Sequence, residues 1–120
     1  MPKNEVLVLA YAGCTTCKNA LTWLKKKGVM ATVRPIVEQP PTASELTAWI
    51  AASGLGVRKW LNISGQSYRA LGKERVAAAS DAELVKWLAA DGKLVKRPVL
   101  VKGKDVLVGF TPDAYTTLFP

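Results

Sequence analysis

The chain has 120 residues, of which 49% are hydrophobic and 22% are charged, and this composition predicts one compact domain with its own hydrophobic core. No segment is long and apolar enough for a membrane span, and the first residues lack a signal-peptide pattern, so we expect no membrane association and a cytoplasmic location. The net charge of +8 favours a small anionic substrate or an acidic partner, whereas basic and aromatic residues are not interleaved, so we expect no direct DNA binding.

The chain begins with the pattern of a strand followed by a helix. Residues 7–10 are apolar and too few to form a helix, which predicts a buried strand. Cys17, Leu21 and Leu24 then recur at helical spacing and predict one apolar stripe on a helix.

Both cysteines lie where this strand meets the helix. We expect Gly13 to allow a tight turn, and the hydroxyl of Thr15 or Thr16 to cap the helix. Unpaired backbone N–H groups at a helix N-terminus favour a negative charge, so Cys14 should have a lowered pKa and be the attacking sulfur. Cys17, one turn further along, is placed to resolve a mixed disulfide on Cys14.

Three other interpretations of the cysteines compete with this one. A zinc site needs four ligands, and the chain has no other cysteine and no histidine, so no metal is expected. A structural disulfide at this spacing closes too small a loop to stabilise the fold much. Both residues could instead be inert core residues, which suits Cys17 better than Cys14. A CxxC that opens a helix after a strand is typical of thioredoxin-like redox chemistry.

The next elements predict a βαβ unit. Gly28 is expected to end the first helix, and residues 29–33 to form a second strand that ends at Pro35. Because short links join a strand, a helix and a strand, the two strands should be parallel.

Residues 42–92 are predicted to form a helical insert. Capping boxes at Thr42 and Ser80 predict two helices that end at Gly54 and Gly92. Two shorter helical segments between them span residues 57–61 and 68–71. All four tryptophans fall on helical stripes, so we interpret them as core residues.

The last third of the chain returns to strands. Residues 99–101 and 106–108 predict a hairpin, with Gly103 at a position that needs a positive φ. Thr111 and Pro112 predict the start of a final helix. The fold class is therefore α/β: a core of residues 1–41 and 93–120, with about four strands, and a helical insert of residues 42–92.

One further motif, Lys96-Arg97-Pro98, precedes the third strand. It could be a basic loop that ends in a strand-initiating proline. In thioredoxin-like folds, however, a cis-proline at this point faces the cysteine turn. We therefore predict a cis bond before Pro98 and an Arg97 guanidinium near Cys14, where it would stabilise a thiolate or grip an oxyanion. Lys18 is the second candidate for this role, although we expect it to face solvent.

The chain resembles the arsenate reductase/Spx family along nearly its whole length. The resemblance rests on four segments in the same order: CTTCKNALTWL at 14–24, LNISGQSY at 61–68, KRP at 96–98 and VGF at 108–110. It implies a thioredoxin-like mixed sheet with an inserted helical subdomain. By similarity, Cys14 aligns with the redox cysteine of the family and Arg97 with its oxyanion-contacting arginine before the cis-proline.

The chain also departs from this family pattern. Glutathione-dependent arsenate reductases carry two more arginines around the oxyanion, and Asn62 and Phe110 stand where we would place them. A site with one guanidinium instead of three should bind arsenate poorly. The CxxC pair resembles Spx instead, whose cysteine switch tunes contact with the α subunit of RNA polymerase.

Two functions are compatible with these patterns. The first is a thiol-dependent oxidoreductase with Cys14 as nucleophile, Cys17 or glutathione as resolving thiol, and a small anionic or thiol substrate such as glutathione. It would need no bound cofactor, and glutathione, thioredoxin or glutaredoxin would supply electrons. The second is an Spx-like regulator in which the cysteines are a redox sensor and a helical surface near residues 54–59 binds the RNA polymerase α subunit.

The predicted site follows from the enzyme hypothesis. Three residues are assigned to catalysis: Cys14, Cys17 and Arg97. Five residues around them are expected to contact the substrate: Thr15, Thr16, Lys18, Asn62 and Pro98.

Overall fold

The computed structural model describes residues 5–120; residues 1–4, part of the N-terminus in which we expect no signal peptide, lie outside the described residues. The strands are β1 (Val6–Ala10), β2 (Ala31–Pro35), β3 (Val99–Lys102) and β4 (Asp105–Val108). The helices are α1 (Thr15–Lys27), α2 (Ala43–Ser53), α3 (Gln66–Leu71), α4 (Lys73–Ala78), α5 (Asp81–Ala90) and α6 (Pro112–Leu118), with 3₁₀ turns at Val57–Trp60 and Gly92–Leu94. Within residues 5–120, none of the helices has the length and apolar character needed to cross a membrane.

The four strands form one mixed sheet in the order β2-β1-β3-β4. β1 pairs in parallel with β2 and antiparallel with β3, and β3 pairs antiparallel with β4. The hairpin between β3 and β4 turns at Gly103, whose φ of 60° lies in the left-handed region that favours glycine. The predicted α/β class, with a mixed sheet of about four strands, is confirmed.

The second strand begins later than the sequence predicts, at Ala31 rather than Val29. Gly28 ends α1 in the left-handed conformation and donates its N–H to the carbonyl of Lys25. Val29 also belongs to this cap, because its N–H donates to the carbonyl of Leu24 at 2.9 Å. This pair of hydrogen bonds is a Schellman motif, and it holds Val29 against the helix end instead of in the sheet.

Contacts group the chain into two compact units. The first contains the residues up to Pro35 together with Arg97–Pro120, and the second contains Ile36–Lys96. The sheet, α1 and α6 therefore belong to the first unit, whereas α2 to α5 and both 3₁₀ turns belong to the second. The domain division that the sequence suggests, with an insert at residues 42–92, stays a prediction.

The core of the first unit forms between the sheet and its two helices. Alternate residues of β1 point to one face, as the period of two in a strand requires. A buried cluster on that face joins β1 and β3 to α1 and α6; its members are Val6, Val8, Ala10, Cys17, Ala20, Leu24, Leu100, Tyr115 and Phe119. Cys17 is therefore a member of the core as well as of the CxxC motif.

The second unit is organised around the contact of α2 with α5. Both predicted capping boxes are present, at Thr42 and Ser80. Trp60 is 0% exposed, and its indole Nε1–H donates to the Ser53 hydroxyl at 3.3 Å. The interpretation of the tryptophans as core residues holds fully for Trp60, whereas Trp23, Trp49 and Trp87 are only half-buried. Trp23 still packs against the core cluster of the first unit.

Helix α4 is not predicted by the sequence pattern. Only Val76 among its residues is buried, so the segment carries almost no hydrophobic periodicity. A distant side chain holds the end of the helix: the Arg58 guanidinium donates to the carbonyls of Val76 at 3.0 Å and Ala79 at 2.8 Å. The Val76 carbonyl also accepts the backbone N–H of Ala79, so Arg58 adds a second donor to it and supplies a donor to the Ala79 carbonyl beyond the helix end.

The end of α5 also differs from the prediction, since the helix stops at Ala90 and Gly92 is not its cap. Gly92 is instead required by a close approach of two backbones. A Cβ atom at this position would overlap the carbonyl of Ile36 and lie 3.1 Å from the Cα of Val37. Backbone atoms cannot move aside as a flexible side chain can, so only glycine fits.

We therefore predict that Gly92→Ala lowers the free energy of unfolding by about 2 kcal/mol or more, through overpacking against the Ile36 backbone. Gly56→Ala is the matched control, because Gly56 has a φ of −69° and open space where a Cβ atom would lie. Urea unfolding of both variants measures the difference. Equal stability losses in the two variants would contradict this explanation of Gly92.

Candidate active site

The cysteine motif begins with a turn that leads directly into α1. The backbone N–H of Cys14 donates to the carbonyl of Tyr11 at 3.0 Å, and the helix starts at Thr15. Cys14 is itself the N-cap, because its Sγ accepts a hydrogen bond from the backbone N–H of Cys17 at 3.3 Å. The expectation of a threonine hydroxyl cap is therefore wrong: sulfur takes that place, and Thr15 and Thr16 are exposed.

Gly13 is needed for steric reasons rather than for an unusual backbone angle. Its φ is not positive, but a Cβ atom would lie 2.8 Å from the edge of the Tyr11 ring. That ring carries the Arg97 guanidinium, whose central carbon lies 4.9 Å from the ring centroid. Gly13 thus leaves room for the aromatic ring on which Arg97 rests.

The pairing of β1 with β3 explains why Arg97 meets this turn. Leu9 pairs with Val99 at the end of the antiparallel ladder. Continuing that register by two residues in each direction brings Tyr11 opposite Arg97. The Arg97–Pro98 peptide bond is cis, which confirms the prediction made from the sequence.

Opposing influences act on the Cys14 sulfur. Partial burial raises its pKa, whereas hydrogen bonds from the Cys17 thiol and backbone N–H lower it. A hydrogen bond from the Arg97 guanidinium and its positive charge lower the pKa further. The result is a Cys14 pKa below the ordinary cysteine value, which favours the thiolate.

The opposite holds for Cys17. Its side chain is 1% exposed, and burial together with the neighbouring Cys14 sulfur raises its pKa to about 12, against smaller lowering effects from the Tyr11 backbone and Arg97. At physiological pH, Cys17 is a protonated thiol that donates its hydrogen bond to Cys14. The two sulfurs are therefore strongly unequal: one is prepared to attack, and the other is held neutral.

The chemistry of this donor set suits thiols and anions. Both cysteines are free thiols. A guanidinium beside a thiolate can pair with a carboxylate or another oxyanion through its planar fork. Across residues 5–120, His, Cys, Asp and Glu side chains form no group of three or more that could hold a metal ion.

The other predicted site residues of the first unit differ in their exposure to solvent. Thr15, Thr16 and Lys18 are exposed on the first turn of α1, so their side chains are open to solvent. Pro98 is buried. Phe110, which stands where the family resemblance led us to expect an arginine, packs edge-on against Tyr115 with a centroid distance of 4.7 Å.

Asn62, another predicted site residue, belongs to the second unit. Its backbone N–H donates to the carbonyl of Leu94 at 2.8 Å, and its side-chain Nδ2–H donates to the carbonyl of Lys93 at 3.3 Å. A cavity of about 510 Å³ beside it is lined by basic, polar and apolar residues: Arg58, Lys59, Leu61, Asn62, Ile63, Ser64 and Lys96.

Two tyrosines near the cysteines were not identified from the sequence. Tyr11 meets Arg97 through the antiparallel pairing of β1 with β3, which the sequence analysis did not predict, so no signal in the sequence pointed to it. Tyr115 lies in the core cluster with Cys17, and only the packing of α6 on the sheet reveals that proximity.

We predict that iodoacetamide labels Cys14 in preference to Cys17, with a pH midpoint below about 8.5, the value of a free cysteine. Arg97→Ala should raise that midpoint, because a hydrogen bond and a positive charge are lost, and Arg97→Lys should recover part of the shift. Lys18→Ala is the control and should leave the midpoint unchanged. Peptide mapping against pH measures all four proteins; preferential labelling of Cys17 would contradict the assignment.

Comparison with known proteins identifies relatives of this chain. It is 42% identical over 106 residues to YusI of Bacillus subtilis, covering 88% of this chain and 90% of that protein. An arsenate reductase of Rhizobium meliloti is 30% identical, with 85% and 78% covered. The regulatory protein MgsR of Bacillus subtilis is 24% identical, with 92% and 86% covered.

The solved structures and the family models agree with these relatives. An ArsC family related protein from Bacteroides fragilis superposes with a TM-score of 0.91 at 42% identity, covering 95% of this chain and 97% of that one. The model of the ArsC family matches residues 9–118. From this match over nearly the whole chain, together with the cysteine turn and the cis-proline loop, it follows that the protein is a member of the ArsC family.

Proposed function

We propose that the protein is a thiol-dependent oxidoreductase in which Cys14 is the nucleophile and Cys17 the resolving thiol. The observation that carries this proposal is the difference between the two sulfurs. Cys14 is the N-cap of α1, and the charge of Arg97 acts on it, whereas Cys17 is buried and protonated. An attacking thiol with a lowered pKa next to a protected second thiol is the arrangement that two-step disulfide exchange requires.

The reaction proceeds by two exchanges of sulfur–sulfur bonds. The Cys14 thiolate attacks an oxidised substrate of the form R–S–S–R′, so that a Cys14–S–S–R bond forms and R′–S⁻ leaves and takes up a proton. Cys17 then attacks the Cys14 sulfur, which forms the intramolecular disulfide and releases R–SH. A low-molecular-weight thiol such as glutathione, or a dithiol protein of the thioredoxin or glutaredoxin class, returns two electrons and restores both thiols.

Substrate contacts are proposed for residues around the cysteine turn. Arg97 would pair with a carboxylate of an anionic thiol such as glutathione, since its guanidinium already lies at the Cys14 sulfur. Thr15, Thr16 and Lys18 are exposed beside Cys14 on α1 and are proposed to face the incoming substrate. For Asn62 and Pro98, the proposal rests on the family resemblance. A cytoplasmic location agrees with a cycle that needs reducing thiols.

The trapping variant Cys17→Ser tests this mechanism. With glutathione disulfide, the wild-type protein should close the Cys14–Cys17 disulfide and lose about two hydrogens in mass. Cys17→Ser should instead accumulate a glutathione adduct on Cys14, because the resolving sulfur is absent. Cys14→Ser is the matched control and should remain unmodified at neutral pH, since Cys17 is buried and 1% exposed. A wild-type protein that forms only stable adducts would argue against the resolving role.

We also predict that arsenate is reduced weakly or not at all. Asn62 and Phe110 carry no guanidinium, and the Phe110 ring packs against Tyr115, so little remains to bind the oxyanion besides Arg97. A coupled assay with glutathione and glutaredoxin measures turnover, with the Rhizobium meliloti arsenate reductase as positive control. Turnover comparable to that control would show that three arginines are not required.

A second candidate function is redox-dependent binding to the α subunit of RNA polymerase. It is favoured by the similarity to the regulatory protein MgsR and by exposed residues near the predicted surface at 54–59. Leu55 is 41% exposed, and Lys59, four residues further along the chain, is also exposed. A binding assay with the purified C-terminal domain of that polymerase subunit, run on the reduced and on the oxidised protein, separates this function from the enzyme.

A further inference from the structure

Tyr115 is a buried residue whose hydroxyl group has no evident structural purpose. It lies on α6 and is 0% exposed. Its Oη is buried, and no group within residues 5–120 forms a hydrogen bond with it. A buried hydroxyl without a hydrogen bond is less favourable than one that is hydrogen-bonded. A phenylalanine would fill the same space without that cost, so packing alone does not explain a tyrosine here.

Two aromatic side chains pack against the ring that carries this hydroxyl. The Phe110 ring meets the Tyr115 ring edge-on at 4.7 Å, with an angle of 87° between the planes. The Trp23 ring meets it at 5.5 Å and 89°. Edge-to-face contacts of this kind are favourable and oriented, so they hold the phenol ring in its place in the core.

Among the groups near Tyr115, Cys17 is one whose chemistry a hydroxyl donor can support. Both residues belong to the buried cluster on one face of β1. Burial raises the pKa of Tyr115, and the charge of an ionised Cys17 raises it further, which means that the two groups are close enough to interact. The tyrosine therefore keeps its proton at physiological pH and can act only as a neutral hydrogen-bond donor to sulfur.

Cys17 needs such a donor during the proposed reaction. It must carry negative charge when it attacks the mixed disulfide and again when it leaves the Cys14–Cys17 disulfide. Burial opposes that charge, and the other titratable or charged groups that face Cys17 are Cys14 on its own helix and Arg97 before β3. Once Cys14 is bound in a mixed disulfide, its negative charge no longer raises the Cys17 pKa, but burial still raises it, and the Arg97 charge is shared with the substrate.

We propose that Tyr115 is a positioning residue for the resolving step, and that its hydroxyl donates a hydrogen bond to the Cys17 sulfur as that sulfur becomes negatively charged. The inference rests on the proposed thiol exchange and adds to it the group that supports the buried sulfur. Tyr115 transfers no proton in this scheme. The Cys17 proton leaves with the released thiol, the Cys14–S–S–R bond breaks, the Cys14–Cys17 bond forms, and the tyrosine remains unchanged.

Reaction of the whole protein with 5,5′-dithiobis(2-nitrobenzoate) separates the two steps. Attack by Cys14 releases one coloured thionitrobenzoate, and attack by Cys17 on the resulting mixed disulfide releases the second. In Tyr115→Phe we expect the first phase to keep its rate and the second to slow about tenfold, the effect of one hydrogen bond to a charged group. The pH midpoint of the second phase should also rise, which a purely structural role would not cause.

Controls distinguish this inference from its alternatives. Tyr68→Phe makes the same chemical change on α3 and should alter neither phase. Because Tyr115→Phe removes only an unpaired hydroxyl, its reduced form should be at least as stable as the wild type in urea. An unchanged second phase, or equal slowing of both phases, would overturn the role of Tyr115. If the wild-type protein releases only one thionitrobenzoate, or if Cys17→Ser still releases two, the proposed function itself fails, and the role of Tyr115 fails with it.

Discussion

The hydrogen bond from the Cys17 backbone N–H to the Cys14 sulfur joins the fold of this protein to its chemistry. It caps α1 with the same atom that is proposed to attack the substrate. The N-terminal N–H groups and the helix dipole favour negative charge on that atom, so stabilising the helix and activating the thiol are one interaction. The turn that begins at Tyr11 and passes Gly13 delivers the sulfur to this position.

β1 lies inside the sheet, and its pairing with β3 brings Arg97 to this turn. On one side β1 pairs in parallel with β2, within the βαβ unit that carries both cysteines. On its other side β1 pairs antiparallel with β3. Arg97 therefore reaches Cys14 from a distant part of the chain, directed by strand register and supported by the Tyr11 ring. The two cysteines then experience opposite environments, because Cys14 lies at the helix end while Cys17 points into the core with Tyr115.

The sequence alone was sufficient for features that depend on neighbouring residues. The two capping boxes, the left-handed Gly28 and the turn at Gly103 follow from local chemistry, and each occurs where it was predicted. The parallel pairing of β1 with β2 follows from the short links of the βαβ unit. The cis bond before Pro98 could also be anticipated, although through the resemblance to thioredoxin-like folds rather than through spacing.

Features that depend on contacts between distant segments were decided only by the tertiary structure. Helix α4 has too few apolar residues to be recognised, and Arg58 holds its end from another part of the second unit. Gly92 has the sequence context of a helix cap, but glycine is required there because the Ile36 backbone leaves no room for a Cβ atom. The approach of Tyr115 to Cys17 likewise arises when α6 packs on the sheet. Local patterns specify where elements begin and end, whereas the environment of each sulfur depends on which surfaces the folded chain brings into contact.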